Sequence, residues 1–309
     1  MKYSVVVPAY NEQDVLPLSY PRLKSVMESL GDYELIFVND GSRDDTLKLL
    51  KEIASKDPRV KVISFSRNFG HQEAVSAGMA KSKGDAVVII DCDLQDPPEV
   101  IPDMVEKWKS GADIVYGQRV TRKGEKAFKK FTAWVYYRIL NLLGGQFIPA
   151  DTGDFRLIDR KVCNTLVGMP ERNRFLRGMA AWSGFKSEPL EFVREERAAG
   201  ETKYSMKKML KLAGDGVTSF SNRPLKLPLI IGIMLFVLSG AYLIVSFILS
   251  LIGIMSYMHI LFALVFFFMA AVFISLGIFG LYLGRIYDEA KARPVYIIDE
   301  QMNFDTEEI

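Results

Sequence analysis

Two carboxylates one residue apart, Asp91 and Asp93, are the most chemically suggestive residues of the sequence. They follow the apolar run 86–90, which its composition predicts to be a buried strand. Where a strand has ended, both carboxylates can face one hard cation. Mg²⁺ and Mn²⁺ prefer oxygen ligands and often bridge carboxylates to substrate phosphates. The pair therefore predicts a divalent-cation site that neutralises a leaving diphosphate.

Two more polar clusters follow strand-like runs, at residues 10–12 (Tyr-Asn-Glu) and 40–42 (Asp-Gly-Ser). Strand-like and helix-like segments alternate over residues 3–116, which predicts a parallel sheet with helices on both faces. Ligands bind such sheets beyond the carboxyl ends of the strands. Each cluster alone is also typical of a turn or a helix cap. Their coincidence at one edge favours a binding site.

Basic amphipathic segments with aromatic residues occur at 125–143 and again at 205–220. Lysine and arginine alternate there with large apolar residues at helical spacing, which is typical of helices lying on a membrane surface. The alternative is a pair of surface helices packed on the catalytic domain.

Residues 229–255 and 260–283 are predicted to be two membrane spans, because each exceeds the ~20 apolar residues that cross a bilayer. No charged residue occurs from Leu227 to Gly284. Positive residues flank the pair and are absent from the connecting loop, so both termini are expected in the cytoplasm and the protein in the cell membrane. The flanking residues are Lys207, Lys208, Lys211, Arg223 and Lys226 before the pair, and Arg285, Lys291 and Arg293 after it.

The overall composition of the 309 residues excludes few functions. A net charge of +2 gives no general support for a nucleic-acid partner. Two cysteines, Cys92 and Cys163, form no disulfide framework, and a reducing compartment is the default. Gly277, Gly280 and Gly284 share one helix face, which allows close approach within the hairpin or between chains, so a homo-oligomer stays open.

The motifs resemble those of one enzyme family. The strings VPAYNE (7–12), NDGS (39–42) and DCDLQDPP (91–98) look like the signatures of family 2 glycosyltransferases, which have the GT-A fold. The last string, together with two C-terminal spans, is most similar to the polyprenyl-phosphate glycosyltransferases of that family. The resemblance covers nearly the whole chain. It implies a Rossmann-like α/β catalytic domain with a mainly parallel sheet, interface helices and two transmembrane helices.

The resemblance implies roles for residues at matching positions on the donor side. The nucleoside is expected to be held by Pro8, Tyr10, Glu12 and Asp40, and the metal (Mg²⁺ or Mn²⁺) and diphosphate by Asp91, Asp93 and Gln95. In this scheme Asp40 acts through the base, and Asp93 is also counted as catalytic.

Three further residues are expected beside the phosphates or the acceptor. The family implies that Arg119 meets the donor phosphates or the acceptor, and that Arg197, in a segment with a flexible Gly200, closes over the donor. Without the resemblance, either arginine could equally be a surface ion pair. Asp154 is expected near the position of the family's acidic base. Its alternatives are a helix cap, or a salt bridge to an arginine at 156 or 160.

The sequence thus predicts inverting transfer of one sugar from a nucleotide-sugar to polyprenyl phosphate at the cytoplasmic membrane face. Glucose on UDP is the commonest assignment among similar bacterial enzymes; mannose on GDP and a modified arabinose on UDP stay open. The predicted domains are a catalytic domain at 1–224, a transmembrane hairpin at 225–284 and a cytoplasmic tail at 285–309. The alternatives are a glycolipid synthase with a diacylglycerol-type acceptor and a non-catalytic membrane scaffold. The resemblance also argues against a polysaccharide polymerase, because the processive polymer synthases of the family carry a Gln-x-x-Arg-Trp string after this region and none follows Asp154 here.

Overall fold

The structure is a computed structural model that describes residues 1–119, 152–195 and 257–304, together with Met234. In chain order the elements are β1 (Lys2–Ala9), α1 (Leu16–Leu30), β2 (Asp32–Asn39), α2 (Thr46–Lys56), β3 (Val60–Phe65), α3 (His71–Lys81), β4 (Ala86–Ile89), a 3₁₀ turn (Pro98–Val100), α4 (Ile101–Lys109), β5 (Ile114–Arg119), β6 (Thr152–Asp159), α5 (Arg160–Gly168), α6 (Leu176–Trp182), β7 (Ser187–Phe192), α7 (Tyr257–Lys291) and β8 (Ile298–Met302). The strands form one sheet in the order β7-β5-β6-β4-β1-β2-β3-β8.

The core lies on both faces of the sheet, as the alternating pattern predicts. On one face the central strand β1 contributes Val5 and Val7 to a large cluster with residues of α1, α2 and α4. On the other face Gly78 of α3 packs so closely on Val6 that an added Cβ would overlap the valine side chain. Burial on both faces explains why the strands are continuous apolar runs rather than alternating ones.

The sheet is mixed but mostly parallel, which confirms the predicted fold class in its coarser form. Parallel pairs join β1 to β2 and β4, β2 to β3, and β5 to β7. The strand β6 runs antiparallel to β4 and β5, between which it lies. Its first residues, 152–154, therefore lie at the edge where β4 and β5 end.

A strand that the sequence analysis did not include closes the other side of the sheet. Residues 285–309 were assigned to a tail, but β8 pairs antiparallel with β3. Tyr296 stacks on Phe65 with ring centroids 5.1 Å apart. The Asn303 side-chain amide donates to the carbonyl oxygens of Ala54 at 2.8 Å and Val60 at 2.7 Å. The C-terminal segment is therefore part of the catalytic fold.

The helix α7 belongs to a compact unit separate from the one that contains the sheet. It has 35 residues and includes the second predicted span, 260–283. Among the residues that the structure describes, no helix meets the length and apolarity required of a membrane span. The first predicted span (apart from Met234) and both predicted interface helices lie outside the described residues. The two-span hairpin and the domain boundaries therefore stay predictions.

Candidate active site

The carboxyl edge of the sheet brings the predicted motifs together. The parallel strands β1, β2 and β4 end at Ala9, Asn39 and Ile89, and the three polar clusters follow directly. The antiparallel strand β6 brings Asp154 to the same edge, and β5 brings Arg119 there at its last residue. Side chains from five strands thus meet around one site.

The first two clusters are locked to each other by side-chain to backbone hydrogen bonds. The backbone N–H of Asn11 donates to Ser42 Oγ at 3.0 Å, and Asn11 Oδ1 accepts from Arg43 N at 2.8 Å. The backbone N–H of Glu12 donates to Thr46 Oγ1 at 2.8 Å. Asn11 adopts a positive φ of 53°, which asparagine tolerates better than most residues. This interlock fixes the loop that carries the predicted nucleoside-binding residues.

The solvent exposure of the predicted nucleoside-binding residues Pro8, Tyr10 and Glu12 suits the wall of a pocket. Pro8 is buried within β1 opposite Val38, whereas Tyr10 and Glu12 are partly exposed just beyond the strand. Their expected contact with a nucleoside stays a prediction.

Asp40 is 3% exposed and anchors the loop that leads into α3. Its carboxylate accepts hydrogen bonds from Phe69 N at 2.7 Å, Gly70 N at 3.1 Å and Asn68 Nδ2 at 2.8 Å. Burial raises the pKa of Asp40, although the N–H groups of Phe69 and Gly70 oppose the shift. Next to it, Gly41 at φ 62° lies against the backbone of residues 67–68, where no side chain fits. Asp40 is thus a structural anchor, and its predicted contact with the base stays untested.

The paired carboxylates lie in a tight loop after β4. The Asp91 side chain is 30% exposed, whereas Asp93 as a residue is 8% exposed. Asp93 Oδ1 accepts from Gln95 N at 3.1 Å, and Leu94 between them has φ 57°. The loop therefore presents the two acidic side chains with a defined backbone path.

The donor set suits a cation that is completed by substrate. No group of three or more His, Cys, Asp or Glu residues placed to hold a metal ion occurs among the described residues. Mg²⁺ is commonly held by only one or two carboxylates plus substrate phosphates, with water completing its shell. Two carboxylates and an amide, at Asp91, Asp93 and Gln95, fit that mode.

A cluster of alternating charges links the two acidic sites, and the sequence analysis missed half of it. His71 Nε2 lies 3.6 Å from Asp91 Oδ1 and 3.3 Å from Asp154 Oδ2. Arg177 grips Asp154 with two hydrogen bonds, Nε to Oδ1 at 2.7 Å and a terminal nitrogen to Oδ2 at 3.0 Å. Asp154 lies in a strand, so the helix-cap alternative is wrong, and the nearest nitrogen of Arg156 is 4.0 Å from its carboxylate.

Electrostatics separate the two carboxylates of this cluster. Burial raises the pKa of Asp91 to about 6, with Asp154 and Asp93 adding to the shift and His71 opposing it. Burial also acts on Asp154, but Arg177 and His71 outweigh it and hold the pKa of Asp154 well below its usual range. Burial opposes protonation of His71, yet Asp91 and Asp154 outweigh it and raise its pKa to about 9.

Arg119 is anchored by a buried acid rather than by a surface pair. Asp96, 1% exposed, lies 3.3 Å from Arg119 and 3.6 Å from Arg194. Gly153 lies against the Arg119 guanidinium, since a Cβ there would be 2.6 Å from the nearest terminal nitrogen. Arg119 is the last residue of β5, and Arg194 lies two residues beyond the end of β7, the parallel neighbour of β5. Both arginines therefore lie beside the acidic loop. The predicted position of Arg119 at a phosphate-binding edge is consistent with this geometry.

Two site residues that the sequence analysis did not include, His71 and Arg177, differ in how well the sequence indicates them. Arg197 falls outside the described residues, so its predicted role stays a prediction. His71 is one of two histidines in the chain and follows β3, as the other site residues follow their strands. That position was a usable signal. Arg177, near the start of the short helix α6, carries no comparable signal.

The acidic and basic side chains are thus gathered beyond the carboxyl ends of the parallel strands, which is where open α/β sheets bind their ligands. The sequence profile described as "Glycosyl transferase family 2" matches residues 4–167. The chain therefore belongs to glycosyltransferase family 2, and it is a glycosyltransferase with a GT-A-like α/β fold.

Individual proteins are similar over nearly the whole chain. The uncharacterized glycosyltransferase YkcC of Bacillus subtilis is 49% identical, covering 100% of this chain and 97% of its own. The bactoprenol glucosyl transferase of Shigella phage SfV is 40% identical, covering 97% of this chain and 99% of its own. Among solved structures, glucosyl-3-phosphoglycerate synthase of Mycobacterium tuberculosis, in complex with UDP, aligns with a TM-score of 0.49, 21% identity, and coverage of 71% of this chain and 78% of that one.

Proposed function

We propose that the protein transfers one glucosyl residue from UDP-glucose to polyprenyl phosphate, with inversion at the anomeric carbon, at the cytoplasmic face of a membrane. The relatives support the acceptor and the sugar. Enzymes described as bactoprenol glucosyl transferases share 40% identity with this chain over almost their whole length.

The pairing of Asp154 with Arg177 is the observation that carries the choice of acceptor. A hydroxyl acceptor such as diacylglycerol needs a general base, and a base works best with a pKa near the working pH. Asp154 is the acidic side chain at the expected position, but two hydrogen bonds from Arg177 hold its pKa far below that range. The second pKa of a phosphate monoester is about 6, so a lipid phosphate is largely a dianion at neutral pH. It can attack without a base, which suits this site.

The residues then divide the work of an in-line displacement. An oxygen of the acceptor phosphate attacks the anomeric carbon while the bond from that carbon to the donor diphosphate breaks. Arg119, anchored on Asp96, would neutralise phosphate oxygens and hold the reacting groups in line. Asp154 supplies fixed negative charge near the anomeric carbon, where positive charge develops.

A divalent cation fits the same scheme. Asp91 and Asp93, with Gln95, would hold it, and it would supply neutralisation of the leaving diphosphate. Mg²⁺ and Mn²⁺ both suit this oxygen donor set.

Membrane attachment is the second part of the proposal. Its support is the charge-free sequence from Leu227 to Gly284 and the positive residues on both sides of it. The helical conformation of Tyr257–Lys291 and exposed apolar side chains along it, among them Val265, Phe268 and Val272, agree with a lipid-facing surface.

The transfer reaction is tested with purified full-length protein and a matrix of substrates. UDP-glucose, other UDP-sugars and GDP-mannose are each paired with undecaprenyl phosphate, undecaprenol or diacylglycerol, and products are identified by mass spectrometry. The expected product is a lipid-phosphate-glucose from the first pair only. Transfer to diacylglycerol or undecaprenol would contradict the phosphate acceptor, and no transfer with any pair would contradict the proposal as a whole.

The topology is tested by labelling a single cysteine. Ser256→Cys, in a background with Cys92→Ala and Cys163→Ala, should react with a membrane-impermeant thiol reagent from outside the cell. Both native cysteines are buried, so their removal mainly clears the background. Labelling that appears only after the membrane is opened would refute the proposed orientation.

A further inference from the structure

We propose that Arg177, Asp154 and His71 form a chain of contacts that orients the Asp91 carboxylate for cation binding. In this arrangement Arg177 and His71 are positioning residues of the donor site. The inference rests on the proposed function only in using Asp91 as a cation ligand. It adds two residues that neither the family motifs nor the sequence analysis assign.

The first contact of this series is the one from Arg177 to Asp154, and it fixes the orientation of the Asp154 carboxylate. A planar guanidinium that donates two parallel hydrogen bonds fixes the plane and direction of a carboxylate, which a single contact does not. Arg177 does this to Asp154 at 2.7 and 3.0 Å. The Asp154 side chain is only 12% exposed, so little solvent competes for it. Its second oxygen is thereby set towards His71.

His71 is the middle link of the chain. Its Nε2 atom lies between the two carboxylates, 3.3 Å from Asp154 and 3.6 Å from Asp91. With Asp154 fixed, the imidazole is held from one side and meets Asp91 Oδ1 on the other. Among the described residues this is the one ion pair of Asp91.

Separate hydrogen bonds fix the two helices that carry His71 and Arg177. His71 is the first residue of α3, and the preceding loop is bound by Asp40 through Phe69 and Gly70. The backbone N–H of Leu176 donates to the Gln72 side chain at 2.9 Å, which holds the start of α6 against α3. The relative positions of Arg177 and His71 are therefore set by the fold rather than by the ion pairs alone.

Residues that hold a metal ligand, without binding the metal themselves, are known to raise the affinity of a metal site. A ligand carboxylate that is held by a second residue loses less freedom on binding, and removal of such a partner typically weakens metal affinity about 10- to 100-fold. The contribution here should show in the binding of the cation itself, before any sugar is transferred.

The test measures Mn²⁺ binding to the purified full-length protein in the presence of UDP, by electron paramagnetic resonance of the free ion. Arg177→Gln and His71→Ala should each weaken binding about 10- to 100-fold. Arg177→Lys, which keeps the charge but loses the two-pronged geometry, should fall between Arg177→Gln and the wild type. His71→Gln, whose amide can donate one hydrogen bond to a carboxylate, should bind more tightly than His71→Ala.

A matched control lies at the opposite edge of the sheet. Arg59 grips the buried Asp57 with the same two-pronged geometry, at 3.1 and 3.2 Å, just before β3 begins. Arg59→Gln should lower the melting temperature but leave Mn²⁺ affinity unchanged, which separates positioning from general loss of stability.

The outcomes distinguish the inference from the proposed function. Wild-type Mn²⁺ affinity in Arg177→Gln and His71→Ala would overturn the inference while leaving the cation site intact. Equal weakening in Arg59→Gln would overturn it too, since the effect would then be one of stability. A wild-type protein that binds no Mn²⁺ with UDP would overturn both the cation site and the chain that orients it.

Discussion

Gly153→Ala should lower activity without much loss of stability, because the three atoms nearest to the new methyl group all belong to the flexible guanidinium end of Arg119. An added Cβ would lie 2.6 Å from a terminal nitrogen of that guanidinium and 3.2 Å from its central carbon. Ordinary contacts lie near 3.5 Å or more, so the guanidinium must move by roughly 1 Å. Arg119 is 29% exposed, so its guanidinium has solvent-side room to shift while staying near the Asp96 carboxylate, 3.3 Å away.

The expected loss follows from that displacement. A misplacement of about 1 Å at a site that positions reacting groups can cost about 100-fold in rate. We therefore expect kcat/KM to fall about 100-fold, while the melting temperature stays within a few degrees of the wild type. Steady-state kinetics and thermal unfolding of the same preparation measure both quantities.

Gly78→Ala is the matched control, because its new methyl group also makes a very close contact, but with the hydrophobic core rather than with a site residue. Its Cβ would overlap Val6 in the core, where no side chain is free to move away. Overpacking of this sort typically lowers the free energy of unfolding by about 1–3 kcal/mol. For a domain of this size, each kcal/mol lowers the melting temperature by roughly 2–4 °C. The folded fraction of Gly78→Ala should keep wild-type kcat.

A double-mutant cycle then tests whether Gly153 acts through Arg119. If it does, Gly153→Ala should have little further effect on kcat/KM in an Arg119→Ala background. Full additivity of the two changes, or wild-type kcat/KM in Gly153→Ala alone, would refute the reasoning.

Three other predictions follow from the described contacts. Excess chelator and Asp93→Asn should each lower kcat by orders of magnitude while unfolding temperatures hold, and full wild-type activity in chelator would contradict the cation site. Because the pKa of Asp154 lies well below its usual range, its carboxylate stays ionised at neutral pH; the deficit of Asp154→Asn should therefore be constant above about pH 7, whereas a deficit that shrinks as pH rises would indicate a base. Asn303→Ala should cost about 1–3 kcal/mol in the free energy of unfolding, since two buried carbonyl oxygens lose their donor, and an unchanged unfolding curve would argue against a structural role for the C-terminal segment.

The parallel half of the sheet could be predicted because its signals are local. Strands β1 to β4 are short apolar runs that end in polar turns, and helical spacing lies between them. Such spacing determines the boundaries of an element less well: helical spacing extends over residues 12–30, but α1 begins at Leu16, after a turn in which Glu12 O accepts from Val15 N. The donor-side motifs followed from the same pattern, since a strand end fixes where its next residue lies.

The antiparallel strands could not be read from local pattern. In β6 the polar residues Asp154 and Arg156 interrupt the apolar run, because that end of the strand faces the site. In β8 the sequence IDEQM is mostly polar, and its place beside β3 depends on pairing across more than two hundred residues. Such contacts depend on which distant segment offers an open edge, and hydrophobic period carries no information about that.

The state of Asp154 links the fold to the choice of acceptor. An acidic residue at this position could serve as a base only if its surroundings left its pKa near neutrality, as burial alone would tend to do. The fold instead brings Arg177 from α6 and His71 from α3 onto the carboxylate, and their charges outweigh the effect of burial. A carboxylate whose pKa is held well below its usual range is a weak base, so it gives little help to an alcohol, whose proton must be removed as it attacks. It is well suited to an acceptor that arrives already ionised, because the remaining demands on the site are alignment and charge balance. The residues gathered at this edge, with the carboxylates of the proposed cation site and arginines anchored on Asp96, suit those two demands.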